Sequence, residues 1–273
     1  MSNAQCPRSG SDEASKVIAS DADVSSPRRT IQGAKADIGH STLDIGLHVS
    51  DLRKSFESPN GDRIEVLRSI SFSVLPGEAL AIVGPSGTGK STLLNLLGGL
   101  DNPDHGSISV GPFDLTAAPF SSLTRFRNQQ LGFIFQFHHL MLDLTAAENV
   151  SLPLMIRRTS RSEALSHARE MLESAGLRDR SEHLVSHLSG GEQQRVAVCR
   201  ALVTSPSLVL ADEPTGNLDA ANSDIVAGSL TEYARKNGSV VVIATHNQKL
   251  AGLCGRTLQL LDGRLAPVKM DSQ

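Results

Sequence analysis

Gly84-Pro85-Ser86-Gly87-Thr88-Gly89-Lys90-Ser91 sets glycines, a lysine and a hydroxyl at the spacing G-x-x-x-x-G-K-[ST]. Glycines let the backbone wrap closely, so that successive N–H groups point inward at an anion. A helix opening at Lys90 adds the partial positive charge of its N-terminus. The Lys90 ammonium can then reach the β- and γ-phosphates of a nucleotide, and the Ser91 hydroxyl can ligate Mg²⁺. The same residues could form an ordinary Gly-rich turn. The context decides: an apolar strand before the loop and a helix after it.

Two more segments could act on the same phosphates. Leu208-Val209-Leu210-Ala211 runs into Asp212-Glu213, which would carry both acids to the C-terminal edge of a sheet, where ligands bind. Asp212 is the expected Mg²⁺ partner, and Glu213, on the opposite side of the strand end, suits a general base on an attacking water. Ser189-Gly190-Gly191 is a second phosphate-binding helix start: a serine cap, two glycines exposing N–H groups, and a helix dipole. A single nucleotide rarely needs both helix starts from one chain. A head-to-tail dimer resolves this, each nucleotide held by one chain's loop and the other's Ser189 helix.

The elements that must position these residues read as α/β. Ile70–Leu75, Ala79–Val83, Leu131–Phe135, Leu208–Ala211 and Ser239–Thr245 are predicted strands, several of them apolar throughout. Such strands, alternating with helices, predict a parallel sheet covered on both faces. Ser160–Glu163 and Ser189–Glu192 read as capping boxes, opening helices over Ala164–Ala175 and through Leu202. Gly176 stops the first of these.

The 273 residues, 39% hydrophobic and 20% charged, suffice for a sizeable core. Apolar stretches such as Val240–Ala244 are far short of the roughly 18–20 residues that span a bilayer. A net charge of −3 and 3% aromatics give no basic excess and no base-stacking surface, so no nucleic-acid partner is expected. Cys6, Cys199 and Cys254 lie too far apart for a CxxC motif. Residues 1–45, rich in Ser, Ala and Asp, read as a disordered extension without a signal-peptide core, and order is expected from 46 to 270.

In its motifs and their order, the chain resembles the ATP-binding cassette (ABC) ATPases from about Leu47 to Val268. Phe56 sits where the family has an aromatic under adenine, with Phe in place of the usual Tyr. Gln136 matches the Q-loop, Leu188–Arg195 the signature, Asn217-Leu218-Asp219 the D-loop and His246 the switch histidine. The resemblance implies a P-loop NTPase cassette with a mostly parallel sheet core, an antiparallel β subdomain and a helical signature subdomain at about 137–187. It implies that Gln136 touches Mg²⁺ or the attacking water, that Asp219 crosses a dimer interface and that His246 hydrogen-bonds the γ-phosphate. ATP would lie against Phe56, the loop from Gly84 to Ser91 with Thr92 beyond it, and the partner's Ser189, Gly190 and Gly191.

Phe137-His138-His139 and the run to Val150 are similar to a branch of the family that releases lipoproteins, exports macrolides or serves cell division. The His138-His139 pair, lacking a third ligand, reads as a surface or interface element rather than a metal site. The resemblance implies a homodimeric, ATP-hydrolysing translocase subunit, peripheral on the cytoplasmic face of a bacterial inner membrane. Separate transmembrane permease subunits would dock near Gln136–His187. Lipoprotein release towards the outer membrane is the leading expectation. Peptide or macrolide efflux and regulatory signal relay stay open as alternatives.

Overall fold

The structure is a computed structural model and describes residues 46–216 and 218–268. The extension read over 1–45, the domain end at 270 and Asn217 of the D-loop match lie outside the described residues. In chain order the elements are β1 (Leu47–Glu57), β2 (Arg63–Val74), β3 (Ala79–Val83), α1 (Lys90–Leu97), β4 (His105–Val110), β5 (Phe113–Asp114), α2 (Phe120–Gln130) and β6 (Leu131–Ile134). There follow α3 (Ala146–Ile156), α4 (Arg161–Ser174), α5 (Gly190–Leu202), β7 (Leu208–Asp212), α6 (Ala220–Asn237), β8 (Val240–Thr245), α7 (Gln248–Leu253), β9 (Arg256–Leu261) and β10 (Arg264–Pro267).

The central sheet has the order β10-β9-β3-β8-β7-β6 and is parallel except for the edge strand β10. Every residue of β3 and β8 is buried. Alternation assigns their side chains to two cores. Leu80 and Ile82 of β3, Leu208 and Leu210 of β7 and Val240 and Val242 of β8 pack with α1 and the inner side of a second sheet. Ala81, Val209, Val241 and Ile243 pack against α5, α6 and α7 on the other face. Burying each large side chain contributes about 2 kcal/mol, so the apolar pattern fixes the strand register.

The second sheet, β2-β1-β4-β5, is antiparallel. Its β2 is 12 residues long and runs from Arg63 to Val74, whereas the sequence marked only Ile70–Leu75. The missed part, residues 63–69, interleaves Arg63, Glu65 and Arg68 with its apolar residues, a pattern an edge strand tolerates. A third core joins α3, α4 and α5 through Val150, Leu154, Ala168, Leu172, Val196 and Cys199. Of the two capping boxes, that at Ser189 is complete. At Ser160 only the forward bond, from the Glu163 N–H, forms, and the helix starts at Arg161 rather than Ala164. A capping box absent from the sequence reading opens α3, where Thr145 and Glu148 cap each other. Cys199 and Cys254 are free and buried, and burial pushes their thiols up to about 12 and about 11.

Candidate functional site

The strand registers bring the chemistry to one edge. Val83 at the end of β3 pairs with Thr245 of β8, and Ala244 pairs with Asp212 of β7. Ala211 pairs with Ile134 of β6. Gly84, Asp212, Glu213, His246 and Gln136 therefore leave four adjacent parallel strands within about two residues of the same level.

The Gly84–Ser91 loop is held by features that only glycine permits. Gly87 and Gly89 have φ of +80° and +101°. A Cβ on Gly84 would lie 2.4 Å from the Leu260 carbonyl oxygen, and one on Gly89 would lie 2.8 Å from Val66 Cγ1. At Gly87 nothing lies within 4 Å, so that side of the loop is open. Lys90 is 7% exposed and its ammonium donates to the Gly84 and Pro85 carbonyls at 2.8 and 3.0 Å. Thr88 also donates to Pro85, at 2.9 Å. Gly84→Ala should therefore destabilise the fold by about 1–3 kcal/mol, because the backbone oxygen facing it cannot rotate away. A chemical-denaturation midpoint checks this, with Gly190→Ala as the control. Nothing lies within 4 Å of a Cβ there, so a shift of roughly 0.5 kcal/mol at most is expected.

The two acids point to different partners. Asp212 faces the Ser91 hydroxyl. Burial holds its carboxyl above the usual carboxylate range, Glu213 adds to the rise, and Ser91 and Lys90 oppose it. A carboxylate and a hydroxyl are hard oxygen donors of the kind a Mg²⁺ ion takes, and a cation there would favour the charged carboxylate. Glu213 turns the other way, at a left-handed φ of +45° that costs a non-glycine residue about 1 kcal/mol or more. Its side chain, 11% exposed, accepts from His246 Nδ1 at 2.9 Å, Thr245 Oγ1 at 3.1 Å and the His246 N–H at 3.3 Å. Since a carboxylate only accepts, the Nδ1 position of His246 must carry hydrogen. The ring itself is mostly exposed.

Gln136 is exposed, one residue beyond the level of Asp212 on the neighbouring strand. Phe56 lies on β1, paired with Ile64 of β2. Its ring is 44% exposed and Lys54 Nζ sits 5.1 Å from the centroid. Val66, two residues further along β2, is the side chain against which Gly89 packs, so an accessible aromatic face stands close to the loop.

The Ser189 helix start faces another neighbour. Ser189 Oγ accepts from the Glu192 N–H, and Glu192 Oε2 accepts from the Ser189 N–H at 2.8 Å. Arg180 holds the other Glu192 oxygen at 3.1 Å. A Cβ on Gly191 would lie 2.8 Å from Asn222 Nδ2. Asn222 in turn bonds Asp219, which caps α6 by accepting the Asn222 N–H at 2.8 Å. The α5 and α6 N-termini are thus linked to each other, on the face of the sheet opposite α1. Thr245 and Asn222 escaped the sequence reading. The signal for Asn222 was Asp219-x-x-Asn222 at a helix start. His138 and His139 belong to no group of three potential metal ligands among the described residues.

This phosphate loop, acid pair and capped glycine helix, set on a mostly parallel sheet with an antiparallel sheet and a helical layer, are those of an ATP-hydrolysing cassette, and the ABC transporter family profile matches residues 67–216. The chain belongs to the ABC transporter ATPase family. It is 52% identical, over 80% of its own length and 97% of the relative's, to the lipoprotein-releasing system ATP-binding protein LolD of Geobacter metallireducens. Among solved structures it is similar to the dimeric post-hydrolysis state of the ATP-binding cassette MJ0796 bound to ADP and Pi, with a TM-score of 0.75 and 34% identity over 80% of this chain and 96% of that one. A second dimeric structure of MJ0796, a bacterial ABC transporter cassette, matches with the same TM-score at 35% identity and the same coverage. No helix among the described residues is long and apolar enough to cross a membrane.

Proposed function

We propose that this chain is the ATP-hydrolysing subunit of a membrane complex that releases lipoproteins from the inner membrane towards the outer membrane. The observation that carries this reading is the likeness to LolD over nearly the whole of that protein, joined to a site equipped for hydrolysis. Efflux and signal relay lack an observation of that strength.

In the proposed mechanism the Gly84–Ser91 loop and Thr92 wrap the phosphates, and Phe56 offers its exposed face to adenine. Lys90 moves from the Gly84 and Pro85 carbonyls to the β/γ-phosphate oxygens, exchanging neutral acceptors for charged ones. Ser91, Asp212 and Gln136 would hold Mg²⁺, which when bound neutralises charge on the β- and γ-phosphates. Glu213 takes a proton from the attacking water, held in place by Thr245 and His246. His246 turns its exposed ring toward the γ-phosphate. The chain acts as a homodimer in which Ser189, Gly190, Gly191 and Asp219 serve the partner's nucleotide.

The membrane partners are separate permease subunits, and the chain lies against them on the cytoplasmic face. Phe137, Met141 and Leu142 in the loop before α3 and Ile156 at the end of α3 expose 57–70% of their surfaces, giving a cytoplasmic helix of the permease an apolar seat in the Gln136–His187 region. The test is reconstitution of the chain with its co-purified membrane partners in proteoliposomes carrying lipoproteins. ATP should release lipoprotein. Lys90→Ala should abolish release and weaken binding of a fluorescent ATP analogue by roughly ten-fold or more. Unchanged analogue binding would remove the phosphate role of the loop, and ATP hydrolysis without lipoprotein release would remove the cargo.

A further inference from the structure

The loop that carries Gln136 is clamped from the signature helix. Arg200, near the C-terminal end of α5, donates from Nη2 to the His138 carbonyl at 2.8 Å and from Nη1 to the His139 carbonyl at 2.6 Å. One guanidinium thus holds two consecutive carbonyls just beyond Gln136. The loop needs holding. Among the described residues no backbone–backbone hydrogen bond ties residues 136–140 to the rest of the fold. His139 sits at a left-handed φ of +48°, with its Nδ1 2.5 Å from the Phe137 carbonyl. Its ring meets the Phe135 ring edge-on at 5.0 Å, and Phe135 stacks on Phe133. The far end is pinned separately by the fully buried Asn149, which bonds both the N–H and the carbonyl of Met141.

We propose that Arg200 is a positioning residue for hydrolysis, setting the Gln136 loop through the His138 and His139 carbonyls and tying it to the helix that begins at Ser189. This rests on the reading of Gln136 as a residue of the ATP site. The tie is short and rigid. Ser189 and Arg200 are separated by 11 residue steps of one helix, roughly 16 Å at 1.5 Å per residue. A displacement of α5 at its N-terminus is therefore passed to the loop of the same chain. Arginine is required rather than any cation, because the planar fork meets two carbonyls at once and an ammonium presents a single point.

The test uses Arg200→Met, which keeps the length of the side chain, and Arg200→Lys, which keeps the charge. Both are made in the full chain, with thermal midpoints measured as a folding control. Arg200→Met should lower kcat about ten-fold or more, since a displaced catalytic loop loses orientation, while KM for ATP changes by less than about two-fold. Arg200→Lys should recover part of kcat. Arg200→Met in a Gln136→Ala background should cost almost nothing further, because both act through one group. Without nucleotide, amide hydrogen exchange of Met141, whose N–H is the bonded amide at the end of this loop, should accelerate in Arg200→Met while that of α5 stays as in the wild type. Unchanged loop exchange, or kcat losses that multiply in the double variant, would overturn the proposal. If Arg200→Met fails to fold, the Arg200→Lys exchange profile decides the same point. Full turnover by Gln136→Ala alone would overturn the role of Gln136, a failure separable from that of the clamp because exchange is read without ATP.

Discussion

Glu213→Gln should bind ATP as the wild type does and hydrolyse it roughly 10²–10⁴-fold more slowly. The substitution keeps the shape of a side chain that is almost fully enclosed. An amide can still accept from His246 Nδ1, and its NH₂ can donate to the Thr245 hydroxyl, which accepts as readily as it donates. Two of the three local bonds therefore survive, and only the longest, from the His246 N–H at 3.3 Å to the oxygen that Thr245 also bonds, is lost. What disappears is the capacity to take a proton from water, and the expected loss corresponds to about 3–5 kcal/mol of barrier. The left-handed backbone at Glu213 gives the same message. Strain is kept at a position whose side chain turns away from Asp212 and toward Thr245 and His246. With hydrolysis blocked, the variant should collect as an ATP-bound dimer. Single-turnover assays and light scattering measure the two effects, and near wild-type turnover would end the assignment of Glu213 as base.

The parts of this site that were legible in the sequence share one property: the chemistry rests on side chains or glycines in a fixed local spacing. The Gly84–Ser91 loop, Asp212-Glu213 and the Ser189–Glu192 capping box are of this kind. The strands β3, β7 and β8 were legible because both faces are buried, which makes them continuous apolar runs. The antiparallel sheet was half legible, since β2 mixes Arg63, Glu65 and Arg68 with its apolar residues. The α2 helix was not legible: only Phe126 is buried along it, so it carries no apolar stripe. Pro153 inside α3 disguised another helix. The Arg200 clamp leaves no trace in sequence, because its acceptors are main-chain carbonyls that every residue possesses. The same holds for Arg157, which ties the end of α3 to the carbonyls of Asn128, Gln129 and Thr204.

Mixing Gly190→Glu chains with Lys90→Ala chains, each nearly inactive alone, should restore part of the ATPase rate. The expectation follows from where the two helix starts stand. The α1 helix packs on one face of the central sheet and α5 on the other. The α5 N-terminus is built against Asn222 and Asp219 of its own chain, not against the phosphate loop. Two positive helix ends can then aim at one γ-phosphate only if they come from opposed chains. A two-fold interface is self-complementary and yields two such sites. Gly190 suits a lesion of this sort. A Cβ there meets nothing within 4 Å, so Gly190→Glu should leave the fold intact and, under the proposed arrangement, place a carboxylate against the partner's γ-phosphate. In a mixed dimer both lesions fall in one composite site and the other is whole. If single sites fire, equal mixing gives half mixed dimers with half their sites intact, roughly a quarter of the wild-type rate under random two-fold pairing. Sites built from one chain alone would each keep a lesion, and mixing would restore nothing. Coupled sites would also restore nothing, so the mixing result is read beside light scattering of Glu213→Gln at saturating Mg-ATP. A dimer there with no recovery on mixing means coupled firing. A chain that stays monomeric under those conditions has no partner to complete its site, and the trans arrangement of Ser189, Gly190 and Gly191 fails.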